Sequence, residues 1–227
     1  MIYRFMTWLM RFLTRSFLVG GLFTVNGREN VPPAGALLVC ANHAGTLDPP
    51  MVPGFTPRLD AWTLAKSEYF RTRAAPIFRW YHAFPVVRHS ADRAALKRSF
   101  DLLHDGHALI IFPEGTRTPS GKLAKPEPGA GFIAQKAGCA VVPVALIGTR
   151  EAMPKGAWLP RRGRVSVTFG KPFRVAAKKP DGTKVGHQDA SDAIMVRIAE
   201  LLPPEMRGEF GDLEAQRKRL DGVTSPV

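Results

Sequence analysis

Short apolar runs that alternate with helix-patterned stretches constrain the fold of this chain more than any other feature. Residues 36–41, 109–112 and 139–147 are such runs, and residues 91–104 carry apolar side chains at helical spacing. Strands that alternate with helices indicate an α/β sheet with helices on its faces. The sequence therefore predicts an α/β fold, a single domain whose mixed, mostly parallel central sheet is flanked by helices.

The loop after the first apolar run brings a histidine and an aspartate close together. Residues 42–48 read Asn-His-Ala-Gly-Thr-Leu-Asp, and two prolines follow. On a straight helix His43 and Asp48 would point about 140° apart, but Gly45 and the prolines favour a turn that brings Asp48 back to His43. Such a pair suits general-base catalysis, because the imidazole takes and returns a proton near neutral pH while the carboxylate fixes its tautomer. The alternative is that His43 only ends a strand and Asp48 only caps a helix.

No serine nucleophile accompanies this pair, since the chain contains no Gly-x-Ser-x-Gly segment. A His-Asp pair without its own nucleophile predicts that the substrate brings the hydroxyl. Cys40 lies three residues before His43, but its place inside the apolar run argues against a reactive thiolate. We expect Cys40 and Cys139 to be small buried hydrophobic residues rather than a disulfide, as is typical of a reducing compartment.

A second polar group follows the apolar run at 109–112, where the chain reads Pro-Glu-Gly-Thr-Arg over residues 113–117. Open α/β sheets bind ligands at the carboxyl ends of their strands. Arg117 suits bidentate contact with a phosphate, and Gly115 permits close approach of a ligand to the backbone. Glu114 would accept hydrogen bonds from substrate hydroxyls or pair with Arg117. The alternative is a surface turn with a local ion pair.

Together these two loops resemble the PlsC-like glycerolipid acyltransferases, the family typified by 1-acylglycerol-3-phosphate acyltransferase. Residues 65–68 are similar to the family's Ala-Lys-x-Glu stretch, and residues 84–88 and 142–144 to its second and fourth motifs. Order and spacing agree from about residue 28 to residue 175. Within the second motif, Ala83 and Val87 stand where the family often carries a glycine and an acidic residue.

The resemblance implies an O-acyltransferase that moves a fatty acyl group from acyl-CoA or acyl-carrier protein to the free hydroxyl of a lysophospholipid. Lysophosphatidic acid is the implied acceptor, phosphatidic acid is the product, and no metal or organic cofactor is implied. His43 would be the base, Asp48 would orient it, and Asn42 or nearby backbone amides are candidate donors to the oxyanion. The implied binding residues for the glycerol phosphate are Arg88, Glu114, Gly115, Thr116, Arg117 and Lys66.

Other functions stay open at this point. A lipid or thioester hydrolase would use the same His-Asp pair with water, and a non-catalytic lipid-binding protein would not need the pair. Within the acyltransferases, the acceptor is open to other lysolipids, for example a lyso-aminolipid.

Residues 1–26 predict an amphipathic helical segment that associates with a membrane. Arg4, Arg11 and Arg15 fall within about 40° of one another on a helix, and most of the remaining circumference is apolar, as in a helix that lies in a membrane interface. The longest charge-free stretch, residues 16–27, is shorter than the roughly 18 apolar residues of a membrane span. A signal peptide would need a small-residue cleavage site, and no convincing one follows. The alternative is a helix packed on the protein's own core, and the two interpretations are compatible if one face packs on the core and the rim contacts lipid.

The charge balance indicates an anionic partner. Lysine and arginine number 32 against 19 aspartate and glutamate residues, for a formal net charge of +13. No nucleic-acid-binding motif is present, and aromatic residues do not alternate with the basic clusters. We therefore expect an anionic membrane surface, at the cytoplasmic face of the inner membrane, rather than nucleic acid. The histidines lack partners at zinc-ligand spacing, so no metal site is expected.

The remaining patterns set the domain limits. Residues 27–205 are expected to form the catalytic domain, and residues 206–227 a charged C-terminal tail with a frayed end. Four prolines between residues 49 and 57 predict an irregular segment directly after the histidine loop.

Overall fold

The computed structural model describes residues 1–17, 22–87, 92–154, 156–157 and 159–227. The helices are α1 (Ile2–Phe17), α2 (Asp48–Phe55), α3 (Ala75–Trp80), α4 (Arg93–His104), α5 (Gly129–Ala137), α6 (Thr149–Ala152), α7 (His187–Ala199) and α8 (Leu213–Arg219). The strands are β1 (Phe23–Asn26), β2 (Leu37–Ala41), β3 (Ala61–Lys66), β4 (Ala83–Val86), β5 (Ala108–Ile111), β6 (Ala140–Ile147), β7 (Val165–Phe169), β8 (Phe173–Val175) and β9 (Thr224–Pro226).

These strands form one mixed sheet. Its main order is β1-β7-β6-β2-β5-β3-β4, and β8 and β9 extend it beside β6. The strands β4, β3, β5, β2 and β6 run parallel to their neighbours, whereas β7 and β8 are antiparallel to β6. The α/β fold with a mostly parallel sheet and flanking helices is therefore confirmed.

Side chains on the central strands alternate between two hydrophobic clusters, one on each face of the sheet. On β2, Leu38 and Cys40 belong to the cluster that includes buried residues of α4, α5 and α7. Leu37, Val39 and Ala41 belong to the opposite cluster, with buried residues of α2. Because both faces are covered, β2 is buried along its whole length, which explains its continuous apolar run.

The proline-rich segment after β2 is helical, so the expectation of an irregular segment is wrong. Pro49 and Pro50 fall in the first turn of α2, where backbone N–H groups have no partner within the helix. A proline there removes no helical hydrogen bond. The helix continues past Pro53 and ends at Phe55, with the Thr56 N–H donating to Val52 O.

The C-terminal end is part of the sheet, so the expectation of fraying is also wrong. β9 pairs with β8 in antiparallel register, and the Ala176 N–H donates to Val223 O. Leu220 and Val223 are buried in the core. These apolar side chains anchor a segment whose charged residues suggested a free tail.

The N-terminal helix α1 packs against α2 and α3. Tyr3, Thr7 and Thr14 are its buried residues, whereas Phe5, Trp8 and Phe12 are exposed. The last residues of the predicted 1–26 segment are not helical, because residues 23–26 form β1 beside β7. No helix in the described ranges is long and apolar enough to cross a bilayer.

The arginines of α1 do not all face outward. Arg11 donates hydrogen bonds to Gly54 O and Thr56 O, at the carboxyl end of α2. Arg11 therefore binds the protein itself, although the sequence pattern predicted three arginines grouped on one side of a membrane-interface helix. The physical reason is that carbonyls at the end of a helix attract a guanidinium. Arg4 is exposed, and the Arg15 side chain lies outside what the structure describes.

Candidate active site

Two loops that carry the predicted residues leave the sheet at the same edge. The strands β2 and β5 are parallel neighbours with Cys40 opposite Ile111, so both end where the polar segments begin. We call the loop at 42–48 the histidine loop and the segment 113–121 the arginine loop. Thr118 joins them, because its N–H donates to His43 O over 3.0 Å.

The predicted contact between the histidine and the aspartate is present. His43 Nδ1 lies 2.9 Å from Asp48 Oδ2, and the Gly45 N–H donates to the same oxygen over 2.6 Å. With the carboxylate accepting from Nδ1–H, the free lone pair of the imidazole is at Nε2. The His43 ring also packs beside Phe112, with a centroid distance of 4.6 Å.

The His43 and Asp48 side chains are largely shielded from solvent. Asp48 is completely buried and His43 is 6% exposed. Asp48 sits at the first position of α2, where the N-terminal end of the helix favours a negative charge. A buried carboxylate beside an imidazole holds the ring in one orientation and stabilises its protonated form. The arrangement is therefore chemically suited to taking a proton at Nε2.

Glu114 lies inside the site rather than on its surface. Its Oε1 accepts from the His43 N–H over 2.7 Å, and its Oε2 accepts from the Ala124 N–H over 3.0 Å. Burial raises the pKa of Glu114 to about 7, with the Asp48 charge adding to the rise and the two amide donors opposing it. Of the two roles that the sequence left open for Glu114, pairing with Arg117 is not observed. Both carboxylate oxygens accept from backbone amides, and the Arg117 guanidinium donates to Thr46.

The arginine loop places its other predicted residues toward solvent. Thr116 and Arg117 are exposed, and Arg117 Nη1 donates to Thr46 Oγ1 over 2.7 Å. Gly115 has a φ of +67°, a left-handed conformation that glycine adopts without a steric penalty. The Arg117 guanidinium therefore contacts the histidine loop at Thr46, which follows His43 by three residues in the sequence.

The other predicted binding residues divide into three cases. Lys66 lies at the carboxyl end of β3, at the same edge of the sheet, and its Nζ pairs with Glu68 Oε1 over 2.9 Å. Asn42 is buried and exchanges two hydrogen bonds with the backbone of Leu146, which occupies its side-chain carbonyl and one amide hydrogen. Arg88 lies outside the described residues.

The alternative nucleophile has no support in the structure. Cys40 is completely buried within β2, and burial raises its thiol pKa well above the ordinary value, with Cys139 adding to the rise. A thiol in this setting stays neutral and unreactive. Among the described residues, no three His, Cys, Asp or Glu side chains gather as metal ligands.

Two threonines of the site escaped the sequence interpretation. Thr46 Oγ1 accepts a hydrogen bond from Arg117, and the Thr118 N–H donates one to the carbonyl oxygen of His43. Their positions next to predicted residues were the only available signal, because threonine is common in loops. The structure shows that these residues link the histidine loop to the arginine loop.

Comparison with known proteins agrees with this fold. A family model described as Acyltransferase matches residues 22–147. The crystal structure of PlsC, the 1-acyl-sn-glycerophosphate acyltransferase of Thermotoga maritima, is similar at a TM-score of 0.67 and 27% identity, over 88% of this chain and 76% of that chain.

Two curated relatives have related names. The 1-acyl-sn-glycerol-3-phosphate acyltransferase of Bacillus subtilis is 30% identical over 186 residues, which are 81% of this chain and 89% of the relative. The corresponding Chlamydomonas reinhardtii protein is 33% identical over 198 residues. That match covers 84% of this chain and 56% of the relative, so this chain spans little more than half the algal protein's length.

The match over more than half of the sequence shows that the chain belongs to the acyltransferase family. This result confirms the resemblance found in the motifs and the expectation of an O-acyltransferase.

Proposed function

We propose that this protein transfers a fatty acyl group from an acyl thioester to the free hydroxyl of a lysophospholipid. The proposed acceptor is 1-acylglycerol-3-phosphate, which gives phosphatidic acid. The observation that carries the proposal is the contact of His43 Nδ1 with Asp48 Oδ2, at the edge that also carries Arg117. The printed names of the bacterial and algal relatives support the choice of acceptor.

In the proposed reaction, His43 Nε2 takes the proton of the acceptor hydroxyl as the hydroxyl oxygen attacks the thioester carbonyl carbon. The new C–O bond forms, the carbonyl electrons move to the oxygen, and Asp48 stabilises the imidazolium. Collapse of this intermediate breaks the C–S bond, and Nε2 gives the proton to the departing thiolate. The reaction needs no covalent enzyme intermediate, and the donor is acyl-CoA or acyl-carrier protein.

In the proposed complex, Arg117 and Thr116 bind the acceptor phosphate, because a guanidinium matches phosphate oxygens in charge and geometry. Lys66 and Arg88 are proposed to contribute at the same edge. Glu114 and Gly115 shape the loop, since the Glu114 carboxylate is occupied by backbone amides. The oxyanion is proposed to bind backbone amides or the second amide hydrogen of Asn42.

We further propose that the protein works on an anionic membrane surface, with α1 in contact with lipid. The exposed side of α1 carries three aromatic rings in a row, with Phe5 stacked on Trp8 and Trp8 on Phe12. Each of these side chains is more than half exposed. Aromatic rings on an amphipathic helix are typical of elements that lie in a membrane interface.

The test of catalysis is an assay of the purified protein with a panel of lysolipids and with acyl-CoA and acyl-carrier-protein donors. We expect phosphatidic acid from 1-acylglycerol-3-phosphate, and a fall of about 1,000-fold in kcat for His43→Ala because general-base catalysis is lost. His104→Ala is the matched control, since His104 is exposed at the end of α4. It should keep normal turnover.

The alternatives give different products. A hydrolase releases free fatty acid whether or not a lysolipid is present, and a lipid-binding protein shows no turnover. Near-normal transfer by folded His43→Ala protein would contradict the proposed base.

A further inference from the structure

The connection between β6 and β7 places a cation, Arg150, beside the candidate active site, and the sequence motifs did not identify this residue. Arg150 lies on α6, directly after the carboxyl end of β6. Because β2 and β6 are parallel neighbours, with Ala41 opposite Val144, this end of β6 is at the same edge as the histidine loop.

The backbone around Arg150 packs directly on the histidine loop. A methyl group added to Gly45 would lie 2.8 Å from the Thr149 carbonyl carbon and 2.9 Å from the Arg150 nitrogen. Side chains do not tolerate such distances, so only glycine fits at position 45. The start of α6 is therefore in contact with the loop that holds His43.

The side chain of Arg150 packs on the arginine loop. A methyl group on Gly121 would lie 2.8 Å from Arg150 Nη1 and 3.2 Å from its Cδ. Gly121 closes the turn that starts at Thr118, the residue that binds His43 O. Arg150 thus spans both loops of the site, and each loop carries a glycine where Arg150 approaches.

The charge of Arg150 has no partner in the described part of the chain. Arg150 is exposed, and among the residues that the structure describes none forms a hydrogen bond or an ion pair with its side chain. Its guanidinium and that of Arg117 therefore present two positive charges on the arginine loop and the histidine loop. Two guanidinium groups on neighbouring loops suit a phosphate, which accepts several charge-assisted hydrogen bonds.

We propose that Arg150 binds a phosphate group of a phosphorylated substrate and acts with Arg117 in this role. The proposal rests on the proposed acyl transfer and adds a binding residue to it. The phosphate belongs either to the acceptor lipid or to the pantetheine-linked part of the donor, and the two sources are distinguished by which substrate responds.

The first experiment measures KM for both substrates with Arg150→Gln. We expect KM to rise about tenfold for one phosphorylated substrate, with kcat within twofold, because a charge-assisted hydrogen bond is lost. Arg150→Lys should recover part of the loss, since the point charge remains. Arg28→Gln is the control, because it removes an exposed arginine from the turn after β1. Unchanged KM values for both substrates in Arg150→Gln would overturn the proposal.

A second variant displaces the guanidinium without removing its charge. Gly121→Ala adds the methyl group that clashes with Nη1, and KM for the same substrate should rise. Gly182→Ala controls for backbone strain, because Gly182 has a φ of +86° but nothing within 4 Å of an added methyl group. An equal KM change in both variants would contradict the displacement argument.

Direct binding separates this proposal from the proposed reaction. Intrinsic fluorescence is used to titrate 1-acylglycerol-3-phosphate and coenzyme A into the wild-type and Arg150→Gln proteins. Weaker binding of one ligand, by about tenfold, supports the phosphate contact even if transfer is not detected. Equal affinities for both ligands overturn it even if transfer occurs.

Discussion

The arginines at the two edges of the central sheet differ in burial and in hydrogen-bond partners. At the edge where β3 and β5 begin, Arg58 is 3% exposed and pairs with Asp60. Its guanidinium also donates to Pro32 O, Gly35 O and Gly106 O. At the edge where β2 and β5 end, Arg117 is exposed and donates to Thr46.

The difference separates residues that maintain the fold from residues whose donors are available to the proposed substrate. A buried guanidinium whose donors all bind internal groups fixes the loops around it. An exposed guanidinium beside a His-Asp pair leaves donors free for a substrate. Asp48 also leaves part of its hydrogen-bonding capacity unused. Its Oδ1 is buried without a hydrogen-bond partner in the described part of the chain.

We call the edge with the buried Arg58 the closed edge and the edge with the exposed Arg117 the open edge. The largest expected effect is on stability at the closed edge. Arg58→Ala leaves three carbonyl groups without the Arg58 donor and removes the guanidinium that pairs with Asp60. We expect the free energy of unfolding to fall by about 3 kcal/mol, because three buried hydrogen bonds are lost at about 1 kcal/mol each. The ion pair adds less, since the Asp60 side chain is 35% exposed. Urea denaturation measures the loss, and kcat of the remaining folded protein should be unchanged.

Arg117→Ala is the matched variant at the open edge. It should change substrate binding and leave stability nearly unchanged, the opposite of Arg58→Ala. KM for the acceptor should rise about tenfold because a phosphate contact is lost, while urea denaturation should show little change. The comparison of edges would be wrong if Arg58→Ala raised the acceptor KM or if Arg117→Ala destabilised the fold by several kcal/mol.

Glu114 lies at the open edge but resembles the buried Arg58 in having internal partners, because both of its carboxylate oxygens accept hydrogen bonds from backbone amides. Its folded-state pKa of about 7 lies above the ordinary value of 4.5. The protonated carboxyl therefore favours the folded state below pH 4.5, and this contribution, about 3 kcal/mol, is lost as the pH rises through about 7.

Glu114→Gln removes this titration. We expect the variant to be less stable than wild type at low pH, since an amide accepts at one oxygen only. This deficit should shrink as the pH rises and the buried wild-type carboxyl ionises. The difference in unfolding free energy between wild type and variant should change by about 3 kcal/mol between pH 4.5 and pH 8. Glu209→Gln, at an exposed position, should leave the pH dependence as it is. A constant difference for Glu114→Gln would show that burial does not control this carboxyl.

The sequence predicted the parts of the fold and site that depend on local pattern. The apolar run at 36–41 corresponds to β2 at Leu37–Ala41, and the pattern at 91–104 to α4 at Arg93–His104. The contact of His43 with Asp48 also followed from local signals, which are Gly45 in the loop and the two prolines that follow Asp48. These predictions needed no knowledge of distant residues.

What the sequence did not predict depends on contacts between distant segments. The partners of Glu114 are backbone amides, which leave no side-chain signal, and one of them follows ten residues later at Ala124. Arg11 binds carbonyls 43 and 45 residues away. The strand β9 forms because β8 offers it an edge. Such outcomes depend on tertiary pairing, which a single sequence does not show.

The last comparison concerns the surface of α1, outside both edges. It asks whether the residues proposed to contact lipid are also separate from the residues that maintain the fold. Replacing Phe5, Trp8 and Phe12 with serine removes exposed aromatic rings without touching the buried side of α1. Vesicle binding should weaken about tenfold, because apolar area is no longer buried in the membrane interface. Co-sedimentation with vesicles that contain anionic lipid measures the change, and the melting temperature should stay the same. Arg4→Gln isolates the electrostatic contribution, which should be about 1 kcal/mol and decline with salt. If the triple variant bound vesicles as well as wild type, α1 would be a packing helix of the fold, with the same role at the surface that Arg58 has at the closed edge.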